Sequence, residues 1–512
     1  MEMPTRRRNG AGRLQQRCMR AVLCTPFAAR LLSPVDFSGV SSFSLPHGLS
    51  RVSAPPALAR GEHPAGHHCG SLFSPRLRPS PAVAAVAGAE VPKDGSSSGT
   101  TASAASLNLA KNLAGSGILS LPAGVAAFSS SPAALGPALL MLLVAAVLST
   151  YSFYLIGEVC EDTESSSWSG AWEKSVKKGK WVPQLVVILQ CFGGAVVYAM
   201  VIGDLFSSLL QGLGFLPAIF SARSTVIAAI SAVVLYPLCC LRSFGPLAKF
   251  SLLGTVGTSY VVMFVTKRFF DGSYAAGGAF YQPLVASAAV KSSMGLVNPQ
   301  MLVLISILST AFLVHFNAPQ FYSELRPARF QLGEKEKGEK LQRFIRMSMA
   351  GFGIASLQYA LVMAFGFLTF GQASTGNVLL NYSGADSLAV AARAAIGFSC
   401  LFGYPMQFAG FRDGILEVFG KKDLPKVAHR LVTAGLLACA AGAACVFRDL
   451  GQFQALEGAL LASFLIFAAP PIMALQPSSR KRSRLARMGL RSLIVLGTVV
   501  GCIGGAVSFG WL

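Results

Sequence analysis

The sequence predicts an all-α membrane protein with eleven transmembrane helices. Three observations carry that prediction. The composition is 53% hydrophobic and only 13% charged, with a mean hydropathy of +0.55, whereas soluble domains carry about 25% charged residues. From about residue 100 onward the chain is a series of apolar runs near the ~20 residues that cross a bilayer. The lysines and arginines between those runs collect in alternate loops.

Residues 1–98 form a separate, basic N-terminal tail rich in Arg, Ser, Pro and Ala. Up to Ala89 it holds 11 Arg against Glu2, Asp36 and Glu62. That bias resembles an organellar transit peptide. A disordered cytosolic tail, too poor in apolar residues to fold, has the same composition. The apolar piece Ala21–Leu32 is interrupted by Pro26 and Arg30, so it makes a poor secretory segment. "HPAGHHC", His63 to Cys69, lies in this tail and is not read as a metal site. The 11 cysteines are scattered without a CxxC, which implies neither a disulfide framework nor zinc. No metal or other cofactor is expected.

Residues 99–512 are read as one multi-pass domain. The expected spans are 104–127, 133–157, 182–211, 223–241, 245–267, 299–320, 344–370, 387–409, 428–447, 452–474 and 489–510. The break between the fourth and fifth rests on Arg242, Gly245 and Pro246 alone. One set of loops holds 24 Lys and Arg and the opposite set 5. That asymmetry puts the N-terminus in the cytosol and Leu512 outside or in a lumen. It also accounts for the net charge of +21 without nucleic acid, the lipid bilayer being the expected partner. Asn381-Tyr382-Ser383, a glycosylation sequon, falls on an outside loop.

The first and sixth spans carry interruptions. In "NLAKNLAGSGILSLPAG", Asn108 to Gly124, the glycines of Gly115-Ser116-Gly117 permit unwinding at little steric cost. In lipid, unwound backbone survives only where it lines a cavity. A half-helix starting near Ile118 would point its positive end, with free N–H groups, at an anion. The same glycines also fit a close helix-packing face. In "FLVHFNAPQFYSEL", Phe312 to Leu325, Pro319 removes a helical hydrogen bond and predicts a kink near residues 315–318. His315 there is the only histidine well inside a span, which makes it a functional candidate. A neutral histidine with one structural hydrogen bond fits the pattern too. Interruptions at equivalent places in two five-helix halves suggest a hidden repeat. Asp204 and Glu457 are expected mainly as members of structural ion pairs, and Arg393 as snorkelling from an outer end.

Together "NLAKNLAGSGILSLPAG", "HFNAPQFYSEL", "YALVMAFGFLTFG" (Tyr359 to Gly371) and "NVLLNY" (Asn377 to Tyr382) resemble the amino acid/auxin permease family. "GYP" before "FRDGI" and the proline of "FAAPPIMAL" extend the match along most of 104–512. The resemblance implies a LeuT-like fold: two inverted five-helix repeats plus one extra helix, with the first and sixth helices broken around an amino acid. It implies a substrate site at Gly115, Ser116, Gly117 and Ile118, at His315, Phe316 and Asn317, and at Tyr198. Sodium-coupled members of the system A and N type commonly have Asn where this chain has Lys111. They also carry a hydroxyl shortly before the proline matching Pro405. Here Leu401, Phe402, Gly403 and Tyr404 precede it. An ammonium about 4 Å from a cation costs about 4 kcal/mol at an effective dielectric of 20. Lys111 therefore either takes the place of Na⁺ or snorkels toward the inner surface.

The expectation is a secondary active amino acid transporter, Na⁺-independent or proton-coupled, working by alternating access. Lys111, His315 and Asp204 are the coupling candidates, His315 first. The competing expectation is an amino acid-binding membrane sensor without appreciable flux. No HExxH, paired acidic metal motif or nucleophile elbow occurs in the spans, so an enzyme is not expected.

Overall fold

The computed structural model describes residues 101–179, 181–214, 217–241, 251–281, 298–325, 334–421, 424–476 and 482–510. The basic tail, residues 1–98, lies outside the described residues.

Thr101 caps the first helix, α1 (Ala102–Leu113), with its hydroxyl accepting from Ala104 N–H. The chain then departs from the helix at Ala114 and Gly115. It re-forms as a 3-10 turn, Ser116–Ser120, and continues as α2 (Leu121–Phe128). Pro122 sits in the first turn of α2, where its missing N–H would have no partner anyway. The long helices α3 (Leu135–Thr163) and α5 (Trp181–Gly212) follow, with the short α4 (Trp168–Val176) between them. Next come α6 (Arg223–Cys239) and α7 (Ser251–Phe270).

The second interrupted unit is α8 (Met301–Ala311), a 3-10 turn at His315–Asn317, and α9 (Ala318–Glu324). Pro319 again lies in the first turn of the resumed helix. The break therefore opens earlier than the proline-kink reading placed it, at Phe312 to Val314. The proline starts α9 rather than bending an intact helix.

The chain continues through α10 (Glu334–Phe370), α11 (Ser387–Val418), α12 (Lys426–Val446), α13 (Leu450–Ala474) and α14 (Arg484–Ser508). Asp386, Asp449 and Ser483 cap α11, α13 and α14 through side-chain oxygens. Two π turns, Gly458–Ala462 and Phe464–Ala468, interrupt α13.

The described residues are helical and carry 8 helices long and apolar enough to cross a membrane. Ser116–Phe128 and Arg223–Cys239 are apolar but shorter. The break explains the first of these: each half of the interrupted unit is too short on its own. Leu140, Leu143, Val147, Val233, Met263, Leu357 and Leu431 stand exposed on helix surfaces. In water these would be costly, and in a bilayer they meet lipid tails. The fold is that of an all-α multi-pass membrane protein.

Around the breaks, α10 packs on both α1 and α2, and α8 packs on α2 and α13. α5 runs against α11, α6 and α12, and also touches the 3-10 turn of the first break. The two interruptions thus lie inside the helix assembly, shielded by α10 and α13.

Candidate functional site

The two breaks meet. A Cβ built on Gly117 would lie 3.0 Å from Ala311 Cα and 3.1 Å from its Cβ. The first residues after one break therefore press against the last residue before the other, and only glycine permits that approach. Gly115 has no such restriction: a Cβ there would meet nothing nearer than Leu113 O at 3.9 Å. Its role is to leave the helix, in an extended conformation.

Helix ends supply the polarity. Ser116 and Gly117 open the 3-10 turn, so their N–H groups have no partner within it. Opposite them α8 ends, with the last carbonyls of a helix unsatisfied by the helix itself. A positive end and a negative end face each other. That pairing matches the carboxylate and ammonium of a zwitterion.

One side chain ties the two ends. The Tyr359 hydroxyl of α10 stands against both Ala311 O, at 2.7 Å, and Leu113 O. These are the terminal carbonyls of α8 and α1. A phenol has one proton, so it satisfies one of them at a time.

His315 is fully buried. Its Nε2 lies 2.9 Å from Ser152 Oγ and 3.0 Å from Ser149 O, both on α3. Phe153 and Phe352 pack edge-on around the ring, and Nδ1 is buried without a partner. An imidazolium would need a second acceptor at Nδ1, and none is there among the described residues. This seat fits a neutral ring that pins the start of α9 to α3. As a coupling candidate His315 has Nε2 engaged on α3 and Nδ1 unpartnered.

The other predicted residues divide. Ile118 is fully buried beside the first break, and Asn317 is buried at the second with Oδ1 unpartnered. Phe316 is half-buried in the same turn. Tyr198 faces α11: a Cβ on Gly403 would lie 3.2 Å from its ring. Lys111 is half-buried in the last turn of α1, where a cation suits the helix end. It sits on the helix and not in the unwound segment. Tyr404 is fully buried and stacks on Phe408. Asp204 is held by Arg223 at 2.5 Å, the ion pair expected for it. That pair engages Oδ1 of the carboxylate.

Two expectations fail. Arg393 does not snorkel: it is 3% exposed and its guanidinium donates to the carbonyls of Leu379 and Tyr382. Glu457 has no ion-pair partner among the described residues. Its Oε1 accepts from Gln190 Nε2 at 2.5 Å and its Oε2 is buried and unpartnered. Tyr359, within "YALVMAFGFLTFG", carries no local sequence signal that sets it apart from its apolar neighbours.

A membrane protein with two helices interrupted side by side, their opposite ends facing across a tyrosine, belongs to the class that binds solutes inside the bilayer. The comparisons narrow the class. The profile of the family described as transmembrane amino acid transporter protein matches residues 98–511, and the chain belongs to that family. Vacuolar amino acid transporter 5 of Schizosaccharomyces pombe is 26% identical over 414 residues, covering 77% of this chain and 91% of that one. Vacuolar amino acid transporter 2 of Saccharomyces cerevisiae is 24% identical over 415 residues, covering 77% and 80%. The Danio rerio protein named "Putative sodium-coupled neutral amino acid transporter 11" is 26% identical over 416 residues, covering 80% and 86%. Among solved structures, the inward-facing conformation of Mhp1 covers 83% of this chain and 94% of that chain at 13% identity, with a TM-score of 0.49. No residue correspondence is drawn from it.

Proposed function

We propose that this protein is a secondary active amino acid transporter, Na⁺-independent and proton-coupled, working by alternating access. The contact of Gly117 with Ala311 carries the reading. It brings a helix start and a helix end into one place, where the start holds the substrate carboxylate and the end holds its ammonium. Ser116 and Gly117 contribute backbone N–H groups, and Tyr359 keeps the two carbonyl ends in register.

The eleven spans form two inverted five-helix repeats and one further helix, with the N-terminus cytosolic and the C-terminus outside or lumenal. The relatives bear names of both kinds, vacuolar and sodium-coupled. Two features favour independence from Na⁺. Lys111 brings a positive charge into the last turn before the first break. The four residues before Pro405 offer no Ser or Thr oxygen, and the one hydroxyl among them belongs to the buried, stacked Tyr404. A Na⁺ site needs oxygen ligands.

The test is uptake of a panel of amino acids by the full chain in proteoliposomes. It is run in NaCl and in choline chloride, with and without a pH gradient. Uptake that persists in choline and responds to the gradient supports the proposal. Complete loss in choline overturns Na⁺ independence. Binding without uptake under any condition leaves the sensor as the function.

A further inference from the structure

The carboxyl of Glu457 is a buried acid whose surroundings ask for a proton rather than a cation. It is 5% exposed. Asp204 and Glu158 are each met by an arginine, Arg223 and Arg482, and Glu161 accepts from the Tyr322 hydroxyl at 3.0 Å. Glu457 is met by an amide. A buried carboxylate without a cation is costly, and such a group sheds its charge by taking a proton.

The geometry accommodates that proton. Gln190 of α5 donates from Nε2 to Glu457 Oε1, while Gln190 Oε1 and Glu457 Oε2 are both buried and unpartnered. A proton on Oε2 would supply the missing donor for an acid–amide pair with two hydrogen bonds. Glycine makes the seat: a Cβ on Gly193 would lie 2.6 Å from Glu457 Oε1. The π turn Gly458–Ala462 begins at the next residue, a local widening frequent at functional sites.

The seat is linked to both breaks. Gln454, three residues before Glu457 and on the same helix face, meets Ser120 Oγ with its side chain. It receives Thr310 Oγ1 on its carbonyl at 2.8 Å. Ser120 ends the first 3-10 turn, with its hydroxyl 3.3 Å from Gly117 O. Thr310 is the last residue but one of α8. Gly458 lies against Ser306 of α8 so closely that a Cβ there would fall 1.8 Å from Ser306 O.

The groups facing Glu457 are few. From α5 come Gln190 and Cys191, the latter the other titratable neighbour. Its neighbours along α13 meet uncharged groups: Gly458 lies against Ser306 and Thr310 of α8, Gln454 against Ser120 and Thr310, and Gln452 donates to Ser508 O of α14. No lysine, arginine or histidine acts on the carboxyl among the described residues.

We propose that Glu457 is the site that binds and releases the coupled proton, with Gln190 as its positioning partner. The assignment rests on the proton-coupled reading above. The proton joins Oε2 from water on one side of the membrane, taking the site from one negative charge to none. It leaves to water on the other side once the carrier has turned.

The test uses the full chain in proteoliposomes, an imposed pH gradient, and a radiolabelled mixture of the proteinogenic L-amino acids. For one coupled proton, wild type accumulates label about tenfold per unit of pH gradient. Glu457→Gln is neutral at every pH. Its accumulation ratio is expected to fall to about 1, while exchange of internal for external label survives. Gln190→Leu is expected to move the pH of half-maximal uptake by about one unit. Glu457→Gln that accumulates as wild type does, or Gln190→Leu with an unmoved profile, overturns this assignment and leaves proton coupling standing. Wild type that transports label but ignores the gradient overturns the coupling reading, and the assignment with it. Should Glu457→Gln fail to insert, Gly193→Ala crowds the same oxygen from α5. An unchanged pH profile there counts against the site.

Discussion

The Tyr359 hydroxyl lies 2.7 Å from Ala311 O. It reaches the terminal carbonyl of α8 from a different helix and shares its single proton with Leu113 O, the terminal carbonyl of α1. Tyr359→Phe keeps the ring and removes that donor, leaving Ala311 O without it while Leu113 O keeps the Gly115 N–H at 2.7 Å. An unmet buried acceptor costs about 1–3 kcal/mol. Uptake is expected to fall roughly tenfold or more, with the protein still folded by thermal melting in detergent. Wild-type uptake would show that the hydroxyl is idle.

Gly115 and Gly117 look alike in the sequence and differ in space. Gly117→Ala drives a methyl against Ala311 backbone at 3.0 Å, which neither helix end can yield without separating. Gly115→Ala meets nothing nearer than 3.9 Å. Uptake is expected to be lost in the first and largely kept in the second. Equal effects would contradict the contact.

Asp386 joins α11 to α7. It accepts from Arg268 at 2.6 and 2.9 Å and from Tyr274 at 3.0 Å. Burial alone would push its carboxyl up, but the Arg268 guanidinium and the Tyr274 hydroxyl outweigh burial and hold it below the usual range. The unfolded carboxyl titrates near 3.9, about pH 4. The stabilisation is therefore complete above about pH 4 and is lost as pH falls through the lower folded value. Melting temperature in detergent should drop on that acid limb. Asp386→Ala should cost about 1–3 kcal/mol at neutral pH, since Arg268 loses this carboxylate but keeps Asp271 at 2.8 Å. A flat acid limb in the wild type would contradict the pairing.

His315→Gln is expected to reduce uptake by loosening the start of α9 from Ser149 and Ser152, while the pH profile keeps its midpoint. A midpoint that moved with this substitution would return His315 to the proton pathway.

Both breaks carry a signal in the sequence, although the second opens at Phe312–Val314, ahead of the place Pro319 marks. Gly115-Ser116-Gly117 and Pro319 are local signals, and each acts on the backbone beside it. The apolar runs were legible because a bilayer imposes length and composition. What stayed hidden was contact across helices. Tyr359 sits in "YALVMAFGF" with no period or neighbour to mark it. Glu457 and Asp204 have the same sequence character, an acid in an apolar run. Only the facing helix shows that one meets Arg223 and the other Gln190. Arg393 was misjudged for the same reason, since nothing nearby in sequence says that the loop at Leu379–Tyr382 folds back over it.

The central claim is that the amino acid sits between the two breaks, and the most direct measurement is an experimental structure of the full chain with its transported amino acid bound. Density should place the carboxylate at about 3 Å from the N–H groups of Ser116 and Gly117, with the ammonium toward the carbonyl end of α8. An amino acid held away from both breaks would contradict the account.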